Sequence, residues 1–307
     1  MRSVDPRYAW MLGTGRCGST LVHEVLARHP DVGFLSNVED NVAQLGWTGR
    51  WNGPLFRRVP NSLTAKGRLR FAPSEAYGLL ERRVSPMLAT PFRDLTAADA
   101  TPWLADRFRA VFEDAAMAQG RPLFLHKFTG WPRAGFTETV FPDSRFIHVV
   151  RDGRAVASSW MQMDWWLGHR GPWDWPWGPL TPAQEAEWQA SGQSFAVLAG
   201  IAWKILMDAF DEAQAKVPSD RWLEVRYEDI LDNPRECFAE LLDFLDLPWN
   251  RRFEQALARY DFRRDAAGAF RRHLDQPTLA KLDRCLAEHL ARRGYFTTDH
   301  EGLRANL

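Results

Sequence analysis

The sequence predicts an α/β fold in which helices flank a central parallel sheet. Short apolar runs at 8–12, 123–127 and 145–150 have the length and composition of buried strands. A glycine-rich turn and a helical segment follow the first run, and a short helical segment separates the second from the third. The order strand, helix, strand is the one that connects parallel neighbours in a sheet.

The first strand enters a glycine-rich turn that favours an oxyanion. Gly13 and Gly18 have the spacing of an ATP-binding P-loop, and an amphipathic helical stretch follows from Ser19. The amides and the dipole at a helix start favour phosphate or sulfate groups. A P-loop would have lysine where Ser19 stands, and the basic residue here is Arg16 inside the turn. The pattern therefore argues against a standard NTPase and indicates another nucleotide.

A second strand, turn and helix occupies residues 144–160, which read SRFIHVVRDGRAVASSW. Arg151 comes directly after the strand, at the edge where open α/β sheets bind ligands. Ser159 lies about two helical turns further along. Arg151 and Ser159 are therefore candidate ligand-binding residues.

Together, these two stretches resemble the sulfotransferases that use 3′-phosphoadenosine 5′-phosphosulfate (PAPS). The resemblance runs from about residue 8 to about residue 295, and the phrase HPDV at 29–32 is similar to the tyrosylprotein-type and bacterial branch. It implies a P-loop NTPase-like, three-layer fold with a central parallel sheet. It also implies transfer of a sulfuryl group from PAPS to an acceptor hydroxyl, with release of 3′-phosphoadenosine 5′-phosphate (PAP).

The resemblance also assigns the nucleotide contacts. The 5′-phosphosulfate falls to the turn residues Gly15, Arg16, Cys17, Gly18, Ser19 and Thr20. The resemblance implies that Arg151 and Ser159 bind the 3′-phosphate. It also implies that Tyr227, which lies in a Tyr-Glu-Asp phrase, faces the nucleotide. Residues 263–273 look like a degenerate form of a basic segment in the cytosolic enzymes. That segment adds Arg263 or Arg264 as a phosphate ligand, although Asp265 replaces a glycine there.

The catalytic candidates are two cations and one acid. Lys127 stands at the end of the run LFLHK, and in the resembling branch such a lysine neutralises the transferring sulfuryl group. Arg16 can stabilise the leaving phosphate. Because these protein cations replace the charge of Mg²⁺, the motif set requires no metal.

A general base is harder to place from the sequence. In the tyrosylprotein-type branch a glutamate follows the HPDV phrase, but an ungapped match puts Asn37 at its position. A shift of two residues restores Glu39, which is the predicted base. Asp40 and His126 are the alternatives.

Residues 160–192 are predicted to form a Trp-rich insertion on the acceptor side of a single domain, residues 1–307. Seven of the 15 tryptophans lie between 160 and 188, where they either wall an acceptor pocket or pack as a core. Aromatic faces suit small molecules, lipids and glycans alike. The 39 basic and 39 acidic residues give no net charge and no support for a nucleic-acid partner.

Composition suggests a soluble cytoplasmic enzyme without a membrane anchor. The chain has three cysteines, no apolar run of 18 residues and no leader pattern at its start. The oligomeric state cannot be inferred. Two alternatives stay open: a nucleotide-dependent kinase on the same fold, and a non-catalytic module that binds PAP or PAPS.

Overall fold

A five-stranded parallel sheet forms the centre of the structure, a computed structural model that describes residues 6–42, 49–58, 71–263 and 267–295. The strands are β1 (Arg7–Gly13), β2 (Val32–Gly33), β3 (Leu123–Thr129), β4 (Arg145–Val150) and β5 (Trp222–Arg226). Their order is β2-β3-β1-β4-β5, and every neighbouring pair is parallel. The predicted α/β fold is confirmed.

Helices cover both faces of the sheet. The α-helices in the described ranges are α1 (Ser19–Leu26), α2 (Asn37–Val42), α3 (Asn52–Arg58), α4 (Tyr77–Arg83), α5 (Pro102–Gln119), α6 (Ala134–Val140), α7 (Gly153–Trp160), α8 (Pro182–Ala190), α9 (Phe195–Gln214), α10 (Tyr227–Asp232), α11 (Pro234–Phe244), α12 (Arg251–Leu257), α13 (Phe270–His273) and α14 (Gln276–Arg292). Short 3₁₀ segments occur at Pro86–Leu88, Ala97–Asp99, Leu167–Arg170 and Ser219–Arg221.

The side chains of β1 show why its sequence is apolar after Arg7. Trp10 and Leu12 pack into the layer that contains α5, α9 and α14. Ala9 and Met11 face the opposite layer, with α1, α11 and α12. A strand buried on both faces reads as a continuous apolar run, because neither side of its pleat meets water.

The helix that follows β4 is fastened by a buried ion-pair cluster. Asp152 caps α7 by accepting from the Arg154 backbone, and its carboxylate also binds the Arg154 side chain at 2.7 Å. Arg154 reaches Asp283 of α14 at 3.0 Å, and all three side chains are at least 93% buried. The cluster fixes α7, and with it the position of Ser159, against the rest of the protein.

Candidate active site

The turn between β1 and α1 is tight because neighbouring side chains fill the space beside its glycines. A Cβ atom at Gly13 would overlap the Cys17 sulfur, and one at Gly18 would overlap the Tyr227 ring. Gly18 also has φ +92°, a conformation that favours glycine, and it caps α1. The turn therefore presents its backbone and the start of α1 to whatever occupies the space above it.

The two sequence motifs meet directly. The Arg151 guanidinium (Nη1) donates to the carbonyl oxygen of Arg16 at 2.9 Å, across 135 residues of chain. Arg16 donates from Nε to the Ser159 hydroxyl, also at 2.9 Å. The Arg151 guanidinium carbon lies 4.9 Å from the centre of the Tyr227 ring. Hydrogen bonds and a cation–π contact thus join β1–α1, β4–α7 and β5–α10 into one structure.

A cavity of about 380 Å³ opens where these elements converge. It is lined by Gly15, Arg16, Gly18, Ser19, Thr20, Glu75, Thr129, Arg151, Trp165 and Tyr227. These residues include or follow the carboxyl ends of β3, β4 and β5, which is where open α/β sheets bind ligands. The charged lining consists of two arginines and one glutamate, so the cavity suits an anionic ligand.

Lys127 lies directly beneath this cavity. Its ammonium group donates to the Thr20 hydroxyl at 2.7 Å and pairs with the Glu75 carboxylate at 2.8 Å. The residue is only 1% exposed, and β3 continues two residues beyond it, so Lys127 is not at the strand end as the sequence had suggested. Through Thr20 and Glu75 its charge is nevertheless adjacent to the cavity.

Glu75 is the acidic group that the sequence did not single out. Its side chain is 31% exposed and lines the cavity. Burial acts to raise the pKa of Glu75, but the charge and hydrogen bond of Lys127 outweigh it and hold the pKa below its ordinary value of 4.5. The next residue, Ala76, has φ +51°, a conformation that non-glycine residues rarely adopt. Glu75 is thus an ionised carboxylate beside a buried cation.

No local signal marks Glu75 as functional. It reaches the cavity because the preceding chain pairs with the segment after β2, through a bridge between Ser36 and Pro73. Lys127, its partner, lies 52 residues further along the sequence. A contact between segments so far apart leaves no periodicity or spacing in the sequence.

A sequence model of the sulfotransferase family matches residues 9–251, which contain every residue of the cavity and all of the sheet except the first two residues of β1. The chain belongs to the sulfotransferase family. A search of curated protein sequences gave no significant match.

Solved sulfotransferases share the fold of this sulfotransferase. STF1 from Mycobacterium tuberculosis H37Rv has a TM-score of 0.56 at 14% identity, over 93% of this chain and 78% of that one. STF9 from Mycobacterium avium has a TM-score of 0.54 at 15% identity, over 94% and 76%. The sulfotransferase domain from the curacin biosynthetic pathway has a TM-score of 0.51 at 15% identity, over 92% and 97%. At these identities the similarity concerns the fold alone.

Most of the predicted nucleotide ligands of this sulfotransferase lie at one place. The cavity is lined by Gly15, Arg16, Gly18, Ser19, Thr20, Arg151 and Tyr227. Ser159 joins them through its hydrogen bond with Arg16. The Cys17 side chain is different, because it is fully buried beneath the turn, against Gly13, and only its backbone can face a ligand.

The basic segment near the carboxyl end stands apart from this group. Arg263 is exposed and is not among the residues that line the cavity. Arg264 lies outside the described residues. The assignment of either arginine to a phosphate thus stays a prediction from the sequence.

The predicted base, Glu39, is held in a different network. Its carboxylate accepts from the Ser36 backbone at 2.8 Å, from the Ser36 hydroxyl and from Asn52 at 2.6 Å. Glu39 is 5% exposed and does not line the cavity. Asp40 accepts from the Leu79 backbone at the start of α4. Both acids therefore hold the loop together, and the geometry does not favour either as the base.

His126, the other alternative, lies inside the aromatic core. Its ring packs 4.7 Å from Phe128 and 4.9 Å from Phe112, and it is fully buried. Neither ring nitrogen has a hydrogen-bond partner within the part of the chain that the structure describes. Burial holds the pKa of His126 well below its usual 6.5. A buried ring outside the cavity lining does not favour His126 as the base.

Replacing His126 by phenylalanine is expected to stabilise the protein in acid. Its folded pKa lies below its unfolded pKa, so protonation favours the unfolded chain as the pH falls through about 6.5. We expect His126→Phe to gain about 2 kcal/mol in the free energy of unfolding at pH ~5 relative to pH ~7.5. Urea unfolding at both pH values measures this difference. An equal effect at both would show that the histidine is not held neutral.

The tryptophans of the segment 160–192 divide into core and surface. Trp160, Trp166 and Trp177 stack with ring centres 5.0 to 6.0 Å apart and are at least 94% buried. Trp165 is 49% exposed and lines the cavity, whereas Trp173 is 78% exposed elsewhere. Most of the cluster is thus a packed core, and Trp165 is the member that can meet a ligand at this cavity.

The described ranges contain neither a metal-binding cluster nor a membrane-spanning helix. Across the described ranges, no group of three or more His, Cys, Asp or Glu side chains is arranged to hold a metal ion. None of the described helices is both long enough and apolar enough to cross a bilayer.

Proposed function

We propose that this sulfotransferase moves a sulfuryl group from PAPS to an acceptor hydroxyl and releases PAP. The observation that carries the proposal is the convergence of the 13–20 turn and the Arg151–Ser159 segment on one cavity, with Lys127 beneath it. Sequence motifs that resemble the two phosphate sites of PAPS enzymes thus face a single ligand-sized space.

The phosphate groups of the donor fit the charges of this cavity. Arg151 and Arg16 provide planar guanidinium forks, which bind phosphate through paired hydrogen bonds. Ser159 adds a hydroxyl beside Arg16. The amides at the start of α1 favour a second anionic group. We assign the 3′-phosphate to Arg151 and Ser159 and the 5′-phosphosulfate to the turn.

Lys127 and Glu75 suit the transfer step. As the acceptor oxygen bonds to sulfur, the bond from sulfur to the bridging phosphate oxygen breaks, and its electron pair stays on PAP. Arg16 and Lys127 are the cations placed to stabilise that charge. We propose that the acceptor proton goes to Glu75, which replaces Glu39 as our assigned base. When Lys127 turns from Glu75 toward the sulfuryl group, the Glu75 carboxylate becomes more basic.

The acceptor approaches, in this proposal, past Trp165. Its half-exposed ring lies on the cavity wall with Glu75 and Thr129. An aromatic face provides apolar contact area without a charge. We therefore propose a small-molecule, lipid or neutral glycan acceptor, with residues 160–192 forming its side of the site.

Calorimetric titration with PAP tests the donor site. We expect PAP to bind the wild-type protein and to bind Arg151→Ala about 10- to 100-fold more weakly, because a charged hydrogen-bond partner is lost. ATP with Mg²⁺ is titrated in parallel. A matched control is Arg83→Ala, which removes an exposed arginine without an ion pair among the described residues.

The contrary outcomes are distinct. Binding of ATP with Mg²⁺ and not of PAP would contradict the proposal and support the kinase alternative. If Arg151→Ala binds PAP as tightly as the control Arg83→Ala, PAP binds at a site other than the one proposed.

A further inference from the structure

A second pocket, of about 340 Å³, lies apart from the candidate active site. It is formed by the ends of α1 and α3, the chain before β3 and one side of α12. The charged residues that line it are Arg28, Arg57, Arg58, Arg121, Arg252 and Arg259. No aspartate or glutamate is among its lining residues in the described part of the chain. We call this group the arginine pocket.

The arginine pocket is at the opposite end of the sheet. Arg121 precedes β3, and the first residue of β3, Leu123, pairs with Val32 at the start of β2. Thr129, at the other end of β3, lines the active-site cavity. A strand of seven residues is about 20 Å long. A ligand in the arginine pocket would therefore not contact the donor site.

The guanidinium of Arg57 is held directly by neutral backbone groups, and the Asp31 carboxylate compensates its charge only in part. Its guanidinium donates to the backbone carbonyls of His29 and Val32, both at 2.6 Å. Its Nε atom is buried and has no hydrogen-bond partner among the described residues. Burial lowers the pKa of Arg57 to about 10, and the charge of Arg121 adds to this effect while that of Asp31 opposes it. The protein thus holds a partly desolvated cation beside another cation.

The remaining arginines point to a ligand that would relieve this repulsion. Arg58, Arg121, Arg252 and Arg259 form no ion pair with any described residue, so their guanidinium groups keep their hydrogen-bonding capacity. Guanidinium forks bind phosphate and sulfate oxygens in pairs. The described lining gathers like charges around one concave site and includes no carboxylate. A bound anion would reduce the repulsion between these charges.

We propose that the arginine pocket binds a small ligand that carries two or more adjacent phosphate or sulfate groups. A volume of about 340 Å³ exceeds that of one tetrahedral ion and falls at the lower end of the range for small-molecule sites. Six arginines around it match several negative charges rather than one. The ligand would bind independently of the donor, and this inference does not rest on the proposed function.

Calorimetric titration with inorganic pyrophosphate tests the arginine pocket. The test variant combines Arg121→Gln with Arg252→Gln, and the control combines Arg83→Gln with Arg251→Gln. Arg251 adjoins Arg252 on α12 but does not line the pocket, and both variants remove two positive charges. We expect the test variant to bind pyrophosphate about tenfold more weakly and the control to match the wild type.

Arg151→Ala distinguishes the two sites, because pyrophosphate can also enter the active-site cavity. We expect Arg151→Ala to bind pyrophosphate at the arginine pocket with the wild-type affinity, whereas the test variant binds it there more weakly. If the test and control variants bind pyrophosphate equally, or if the wild type binds none, the proposal is overturned. If PAP binds the wild type, PAP titration of the variants shows whether they are folded. Thermal unfolding shows it independently, so failure of one proposal does not obscure the other.

Discussion

The variant Glu75→Gln is expected to lose sulfuryl transfer by about 10²- to 10⁴-fold in kcat, while PAP affinity changes little. This range is the usual contribution of a general base. Glutamine keeps the shape of the side chain and a hydrogen-bonding oxygen for Lys127, but it cannot accept the acceptor proton. The measurement is PAP release with PAPS and an acceptor identified by a screen, together with PAP titration of the same variant.

Glu39→Gln provides the comparison that decides between the two acids. Glu39 accepts hydrogen bonds from Ser36 and Asn52, so its replacement should lower the melting temperature. We expect its kcat to remain well above that of Glu75→Gln at a temperature where both are folded. The reverse order would return the role of base to Glu39. Loss of PAP binding in Glu75→Gln would instead indicate that Glu75 organises the donor site.

The pH dependence of the wild-type enzyme follows from the same carboxylate. Lys127 holds the pKa of Glu75 below its ordinary value despite the opposing effect of burial. The carboxylate is therefore ionised at neutral pH and becomes protonated only in acid, below 4.5 in the free enzyme. If Glu75 is the base, kcat/KM falls only in this acidic range, as far as folding permits.

The variant Arg154→Met is expected to destabilise the protein by about 3–5 kcal/mol, the usual result of removing one partner from a buried ion pair. It removes the guanidinium that pairs with both Asp152 and Asp283, and both carboxylates are at least 93% buried. Methionine fills part of the arginine volume, so the loss reports mainly the two broken ion pairs. Urea unfolding at neutral pH measures the change in the free energy of unfolding.

The matched control for this prediction is Arg170→Met. Arg170 pairs with Asp174 at 3.1 Å, but both side chains are more than half exposed. Solvent-exposed pairs contribute about 1 kcal/mol or less, so we expect little change. Equal destabilisation by the two variants would show that burial does not increase the contribution of the Arg154 cluster to stability.

The sequence predicted well those features that depend on neighbouring residues. The β1–turn–α1 motif and the β4–turn–α7 motif lie within 20 residues each, and hydrophobic period and glycine spacing report such local geometry directly. The helical spacing of the apolar residues in α9 and α14 is local in the same way. Arg16 and Arg151 could be predicted as ligand-binding residues because each lies in one of these local motifs, and Tyr227 because its Tyr-Glu-Asp phrase resembles that of the family.

The acid at the cavity shows where such reasoning stops. Glu39 and Glu75 are both acids in loop-rich parts of the chain, and the family resemblance favoured Glu39 once a shift of two residues after HPDV was allowed. The fold reverses this preference, because Ser36 and Asn52 bind Glu39 while the Ser36–Pro73 bridge brings Glu75 to Lys127. His126 packs in the aromatic core while Lys127 contacts Thr20 and Glu75, because adjacent residues of a strand point to opposite faces of the sheet.

By itself, the sequence thus determined the α/β class, the two segments that we propose bind anions and the family that they resemble, since each depends on short-range patterns. Only the tertiary structure decided which acid meets Lys127, which tryptophans are buried and which arginines gather around a second pocket. Those outcomes depend on contacts between segments tens to hundreds of residues apart. Such contacts are set by packing and burial across the whole chain, which no local pattern records.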